Sequence, residues 1–384
     1  MNLFTLDEFL VRDEIIDDYE SLIWTERFSE WGDFELVVHA SSRSHGLIHE
    51  GIMLEIEESR RIMIVETTET TFNDDGKLIY TVKGRSLESL LLKRPALDPN
   101  FSKWNWTNTP TAIIEGMFNS ICRDGDVDTK DIIPFLAVGN PFPVDTIDAP
   151  VDPITVSIEP ANLYDPINEI AEAYNLGFRL VKSQTAQELY FNVYTGCDRT
   201  STQGVFEAVV FSSELDNLQN TTSFSSVLDQ QNVAIVVTPV GREIVYSPGV
   251  DPNAAGFERK VLVVNASDIE DTDPLVAANK MIQRGYEELT KNRELWVFDG
   301  ETSQDAIYVY GTDYNLGDVV EMRSSDGSSN RMRVTEQIFV SDPEGVRSYP
   351  TLSKDIFVSS GSWLSWDAQI TWSEAGETDY WANV

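Results

Sequence analysis

From Asp18 to His39 (DYESLIWTERFSEWGDFELVVH) apolar residues fall on alternate positions: Leu22 and Trp24 before a bend, Phe34, Leu36 and Val38 after it. A period of two places one set of side chains on one face of a strand, so this stretch is expected to form two strands with a buried face. Between them, RFSEWGDFEL carries the turn signal Gly32-Asp33. Trp24, Phe28 and Trp31 are too large to sit idle and are expected to seal one end of a small barrel or sandwich. The stretch sets a β architecture and names no activity.

The same texture continues through GIMLEIEE (51–58), RRIMIVETTETTF (60–72) and KLIYTVKGR (77–85), with Asn73-Asp74-Asp75-Gly76 as the hairpin turn between the last two. SLESLLLKR (86–94) then switches to helical spacing, with Ser86 as cap, Leu87, Leu90 and Leu91 on one face, and Pro95 as the stop. A first β-domain is therefore placed at 1–95.

Over 96–208 proline and aspartate become frequent, and two helices stand out. One spans 109–122, with Thr109 as N-cap and Pro110 at its first turn. The other spans 163–175, with Ile167, Ile170, Ala171 and Tyr174 on one stripe and Gly177 as the glycine after its end. The strands GFRLVKS and ELYFNVY follow, which makes this an inserted α/β domain.

From 209 to 355 the β pattern returns. Strands are expected in 223–240 and 258–266, separated by the loop SPGVDPNAAG, and later in ELWVFDG, AIYVYG, VVEMRSS and RMRVTEQIFVS, with Asp326-Gly327 as a turn. The clearest helix, 273–294, has Asp273 as cap, Pro274 at N1, and Leu275, Ala278, Ile282 and Leu289 along one side. Residues 356–384 hold four of the nine tryptophans, Trp363, Trp366, Trp372 and Trp381, which are expected at an interface with a neighbouring subunit.

Charge narrows the function. With 64 acids against 28 bases, a net −36, the chain is unsuited to gripping phosphate backbones, whose affinity comes from Lys and Arg. Two sources of acidity fit equally: a high-salt host, in keeping with Lys supplying only 10 of the bases, or an acidic lumen past which nucleic acid slides without sticking. No apolar run reaches the length of a membrane-spanning helix, and MNLFTLDEFLVRDE does not read as a signal peptide. Cys122 and Cys197 stand far apart without a CxxC partner, so neither a disulfide nor a zinc framework is expected.

Motifs that would carry chemistry fail on their spacing. His39, His45 and His49 fall close together, but SSRSHGLIHEGI reads as a glycine-bearing loop, not a helix presenting two ligands. Asp124, Asp126 and Asp128 match the start of an EF-hand loop, yet Thr129 stands where glycine is required and Phe135 where glutamate is required. Asn105, Asn220 and Asn265 each open an N-x-[ST] triplet, which matters only where a glycosylation machinery is met. No nucleophile elbow, phosphate loop or dinucleotide fingerprint occurs, and no carboxylate pair is distinguished among so many. Catalytic, cofactor-binding and metal-ligating residues are therefore all assigned as none.

Three ordered stretches carry a resemblance. They are Trp24, Arg27, Gly32, Phe34 and Leu36 in W-x-x-R-x-x-x-x-G-x-F-x-L; Gly84 to Arg94 in GRSLESLLLKR; and YNLGDVVEM (314–322), followed by RMRVTEQIF and a Tyr349-Pro350-x-Leu352 close. In this order they resemble the minor tail proteins of siphophages that form the baseplate hub, a fold like that of myophage hubs. The resemblance implies a mainly β chain with α+β insertions: two tail-tube-like β-barrels plus a smaller inserted α/β domain. Three chains would form a pseudo-sixfold ring that continues the tail tube. Leu316-Gly317-Asp318-Val319 would be a turn entering a strand of the second barrel.

The partners implied are two further copies of the chain, the distal tail ring, the tape-measure protein and tail fibre or tip proteins, with viral DNA passing through the lumen unbound. The place implied is the tip of the virion tail, after synthesis in the host cytoplasm, without cofactor or membrane anchor. Two other readings stand beside it: a tail-tip enzyme degrading envelope polymer, and a receptor- or carbohydrate-binding module using the C-terminal tryptophans.

Overall fold

The computed structural model describes residues 1–354 except 40, 73–75, 101–102, 141, 143–144, 213–214, 216, 218, 240, 248–249, 254, 270–272, 302–306 and 324–328; the tryptophan-rich segment lies outside the described residues. Seven strands open the chain: β1 (Leu3–Leu6), β2 (Arg12–Ile16), β3 (Tyr19–Arg27), β4 (Asp33–His39), β5 (Met53–Ile56), β6 (Met63–Phe72) and β7 (Leu78–Ser86). The alternation of β3 and β4 does what its period demands, pairing Leu22 with Leu36 and Trp24 with Phe34 across the hairpin. Phe72 pairs with Leu78, so β6 and β7 also form a hairpin, whose turn residues 73–75 are outside the description.

The middle of the chain contributes β8 (Pro95–Ala96), β9 (Trp104–Asn108), α1 (Pro110–Phe118), β10 (Ile154–Ile158), β11 (Ala161–Asn162), α2 (Tyr164–Ala173), β12 (Gly177–Lys182) and β13 (Leu189–Tyr194). Thr109 caps α1 by accepting from the Ala112 N–H at 3.4 Å, and Pro110 occupies the first turn. Ile167, Ile170, Ala171 and Tyr174 are all buried in the core around α1 and α2.

The last part contains β14 (Val210–Ser212), β15 (Gln219–Ser226), β16 (Val233–Thr238), β17 (Gly241–Tyr246), β18 (Val261–Asn265), α3 (Pro274–Lys291), β19 (Leu295–Glu301), β20 (Val319–Arg323), β21 (Ser329–Asp342) and β22 (Gly345–Lys354). β16, β17 and β18 form a separate sheet covered by α3, with a core of its own. This unit enters after β15 and leaves before β19, and those two strands pair with each other. The helix placed by sequence in the second β-part therefore packs on an insertion within it.

The main sheet has 13 strands in the order β15-β19-β22-β21-β3-β4-β7-β6-β5-β1-β2, with β20 on β21 and β14 on β20. Its splice is the 14-residue β21. β22 runs along one edge of β21, while the other edge is shared by β20, paired with Ser329–Arg333, and β3, paired with Glu336–Ser341. The first and last parts of the chain thus merge into one sheet. The pairing is an open path, with no closed barrel among the described residues, where two barrels were expected.

Several local expectations fail for identifiable reasons. SLESLLLKR is a 3₁₀ helix over Leu87–Lys93; the Ser86 hydroxyl leaves the helix uncapped and instead accepts from the Gly32 N–H at 2.8 Å, and Pro95 opens β8. Gly177 is not the residue closing α2, since Asn175 takes the left-handed conformation (φ 55°) and Gly177 begins β12. Leu275 is 66% exposed, and α3 buries Ala277, Met281, Gly285 and Leu289. AIYVYG gives no strand over its described residues: the Asp313 carboxylate accepts from the Val309 N–H at 2.7 Å and Gly311 turns at φ 83°. GREIVY, read as part of no strand, is β17. Asp326-Gly327 lies outside the described residues.

Candidate functional site

The strongest convergence of unusual side chains lies where β3 ends. Trp24, Phe28 and Trp31 do not form one plug; they diverge into different places. Trp24 packs against Phe34 (ring centroids 6.0 Å) in the core of the first strands. Trp31 meets Tyr164 (4.3 Å) at the α2 side. Phe28 sits at the junction of everything else. Its N–H donates to the Thr335 carbonyl at 2.9 Å, and its carbonyl accepts from Phe178 N–H at 3.2 Å, so one residue stitches β3 to β21 and to β12. Its ring meets Tyr194 edge-on at 5.2 Å, with the Arg333 guanidinium 5.1 Å above it.

Two glycines make room for that ring. A Cβ on Gly177 would stand 2.3 Å from it, and one on Gly317 would stand 2.6 Å from it. Gly317 also has φ 86°, donates its N–H to the Val334 carbonyl and accepts from Arg333 Nη1 at 2.5 Å. Beside it, buried Asp318 accepts from the Cys197 N–H (2.8 Å), Arg199 Nε (2.6 Å) and the Asn315 N–H (3.0 Å). Leu316 is core, and the Val319 N–H donates to the Cys197 carbonyl. Residues 316–317 turn into β20, and the turn is clamped by 195–199 and Arg333.

Around Phe28 lies a buried ionic network. Arg61, Glu26 and Glu88 are all buried. Arg61 Nη1 stands 3.3 Å from Glu88 and Nε 3.9 Å from Glu26, while Nη2 donates to the Arg27 carbonyl at 2.6 Å. Glu26 also accepts from Tyr310 Oη at 2.9 Å and from Ser59, and Glu88 from the Leu180 N–H at 2.8 Å. Burial opposes the charge on Arg61, but Glu88 above all, with Tyr194 and Glu26 adding to it, outweighs burial and raises its pKa. Arg179 lies over Phe142 (3.3 Å) and Tyr194 (4.0 Å), and burial lowers its pKa. The network joins residues from β3, β6's approach, the 3₁₀ turn and β12. It can hold four segments in one geometry.

The remaining motif residues are distributed. Arg27 donates to Glu336 (2.6 Å) and to the Trp31 carbonyl (3.1 Å), and pairs with Asp33; burial opposes its charge, and these carboxylates raise its pKa. Gly32 and Gly84 are close-approach positions: a Cβ on Gly32 would lie 2.3 Å from Thr25 O, and one on Gly84 2.7 Å from the Phe34 ring. Leu36 is core, Pro350 pairs with Gln337, and Arg94 stands apart on the Asp131 carbonyl at 3.0 Å. Sequence reasoning missed Arg61, Glu88 and Arg179. Each sits inside an apolar run (RRIMIV, SLESLLL, GFRLV), which was the available signal.

The histidines do not converge: His39 lies 3.8 Å from Glu20, and His45 packs on Tyr80. Among the described residues no group of His, Cys, Asp and Glu is placed to hold a metal ion. Both cysteines are buried.

Glu321, on β20, provides an acid-sensitive point. Burial pushes its carboxyl up, but Ser201, Ser329 (2.6 Å) and Arg323 (3.0 Å) outweigh burial and bring it down to about 2. A depressed carboxylate contributes stability that is present above its unfolded value of 4.5 and lost as pH falls from there toward 2. Glu321→Gln is expected to cost up to about 3 kcal/mol at pH 7 and little near pH 2. Urea midpoints at pH 7 and pH 3 test this; an equal wild-type-to-variant gap at both pH values refutes it.

The fold is similar to that of solved prophage and bacterial tail proteins. The structure is similar to the prophage MuSo2 43 kDa tail protein from Shewanella oneidensis (TM-score 0.54, 14% identity, covering 91% of this chain and 96% of that one). It is also similar to a tail protein from Neisseria meningitidis MC58 (0.54, 12%, 92% and 96%) and to prophage tail protein gp18 from Listeria monocytogenes EGD-e (0.50, 11%, 92% and 95%). The chain belongs to the Siphovirus ReqiPepy6 Gp37-like protein family, whose model matches residues 3–351. No curated protein matches it.

Proposed function

We propose that this chain is a non-enzymatic structural protein of the virion, the baseplate hub at the distal end of a non-contractile tail. The observation that carries the reading is the splice of β3 onto β21, locked by Phe28 and the buried Arg61 network, in a chain of tail-protein fold. Such a splice makes first and last parts one body, as a ring segment bearing load requires. In this reading three copies form a pseudo-sixfold ring that continues the tail tube. The ring attaches to the distal tail ring above and to fibre or tip proteins below, and releases the tape-measure protein and DNA on opening. Part of the net −36 then faces the lumen, where it keeps DNA from sticking.

Light scattering on purified protein at low and at molar salt tests the assembly. The expected mass is three times the 43.2 kDa protomer, at least at high salt, where repulsion between these acidic chains is screened. A monomer at both salts, together with absence of the protein from purified tails, overturns the reading.

A further inference from the structure

The sheet β17-β16-β18 buries one face fully and leaves most of the other open, with Val233 at its end the buried exception. Ala234, Val236, Val245 and Val264 face α3, close enough that a Cβ on Gly285 would stand 2.6 Å from Val245. Register then puts the alternate residues together on the other face, with Ile235 between Ile244 and Val263, and Val237 beside Arg242. Val263 is 68% exposed, Ile244 and Val237 42% each, and Val261 39%. A row of β-branched side chains left in water across three strands marks a surface made to be covered. Its border is basic, with Arg242 in the last row and Arg259 over the Tyr246 ring at 5.9 Å, in a chain where acids outnumber bases 64 to 28.

We propose that this face seats the chain's own C-terminal segment, residues 355–384. Three observations select that occupant. The segment has four tryptophans to cover the apolar rows, and it carries Asp355, Asp367, Glu374, Glu377 and Asp379 with no Lys or Arg, complementary to the basic border. It also starts in the right place. Ser226 pairs with Leu295 and Ser353 with Val297, so β15, β19 and β22 reach the same end of the main sheet there, the end from which the β16–β18 unit is connected. From Ser226 to Val233 the chain spans at most about 25 Å, and the nine residues from Lys354 to Trp363 reach about 30 Å.

The test uses the full chain. Val263→Glu and Ile244→Glu place a charge on the open face without touching the α3 side; Val205→Glu, at another exposed valine, is the control. Chymotrypsin cleavage after Trp363 and Trp366 is expected to accelerate at least tenfold in the two face variants and not in the control, with unchanged circular dichroism. Equal rates in all variants overturn the proposal. So does a face variant that lowers the oligomeric mass while leaving cleavage unchanged, which would assign the face to a second copy. A photo-crosslinker at Ile244 is expected to join residues 355–384 at protomer mass; crosslinks found only between protomers overturn it.

Discussion

Arg61→Met is expected to destabilise the protein by about 3–5 kcal/mol, among the largest effects of any single substitution in the chain. The guanidinium is the cation between Glu26 and Glu88, and both carboxylates stay buried when it is gone. Methionine fills most of the volume, so the loss reports uncompensated charge and the missing bond to the Arg27 carbonyl more than a cavity. The 3.3 Å contact with Glu88 is an ion pair without good hydrogen-bond alignment, since Arg61 Nη1 and Glu88 Oε2 lack hydrogen-bond partners. Neutralising both members should therefore recover much of the loss. Glu88→Gln keeps an acceptor for the Leu180 N–H, and Arg61→Met with Glu88→Gln should cost less than the sum of the singles. Guanidinium unfolding of the four chains measures it. An Arg61→Met penalty under about 1 kcal/mol would remove the network from any role in joining the parts.

How much of this was legible in the sequence depends on how far apart the interacting residues lie. Alternation at Leu22, Trp24, Phe34 and Leu36 specified the hairpin because both strands are local and half-buried. Nothing local specifies that Arg27 meets Glu336, which lies 309 residues away, and that contact belongs to the pairing that turns the expected barrels into one open sheet. The stripe of α2 was read correctly because Ile167 and Ile170 are large. The stripe of α3 was right at Ile282 and Leu289 and wrong at Leu275, because the start of the helix approaches its sheet through Ala277 and its middle through Gly285, small residues that leave little hydrophobic signal. β17 was missed because GREIVY mixes charges with apolar residues on a face that stays exposed. At the junction, Gly317 and Asp318 are singled out by the sequence, whereas nothing local marks Arg199 and Arg333 as the arginines they bond. Burial of a charge is a tertiary property, and only its apolar flanks hint at it.

Gly317→Ala is the second large effect expected, and its causes can be separated. The backbone there has φ 86°, which costs a residue with a side chain about 1–2 kcal/mol. The added Cβ would also stand 2.6 Å from the Phe28 ring and 3.0 Å from Tyr194, an overpacking cost of about 1–3 kcal/mol more. Neither neighbour has room to retreat, since Gly177 closes on the same Phe28 ring and Gly196 lies against the Gly317 carbonyl. Phe28→Leu removes the aromatic edge but leaves the dihedral unchanged. It weakens the junction on its own, yet in its background Gly317→Ala should cost only the backbone part and the lesser contact with Tyr194. A double-mutant cycle in urea should thus show coupling of about 1–3 kcal/mol between positions 28 and 317. Zero coupling would mean the penalty is backbone strain alone and that Phe28 does not set the spacing between β12, β21 and the turn. Coupling of the expected size would make this ring the element against which the splice is registered, tying the local choice of glycine to the continuity of the whole sheet.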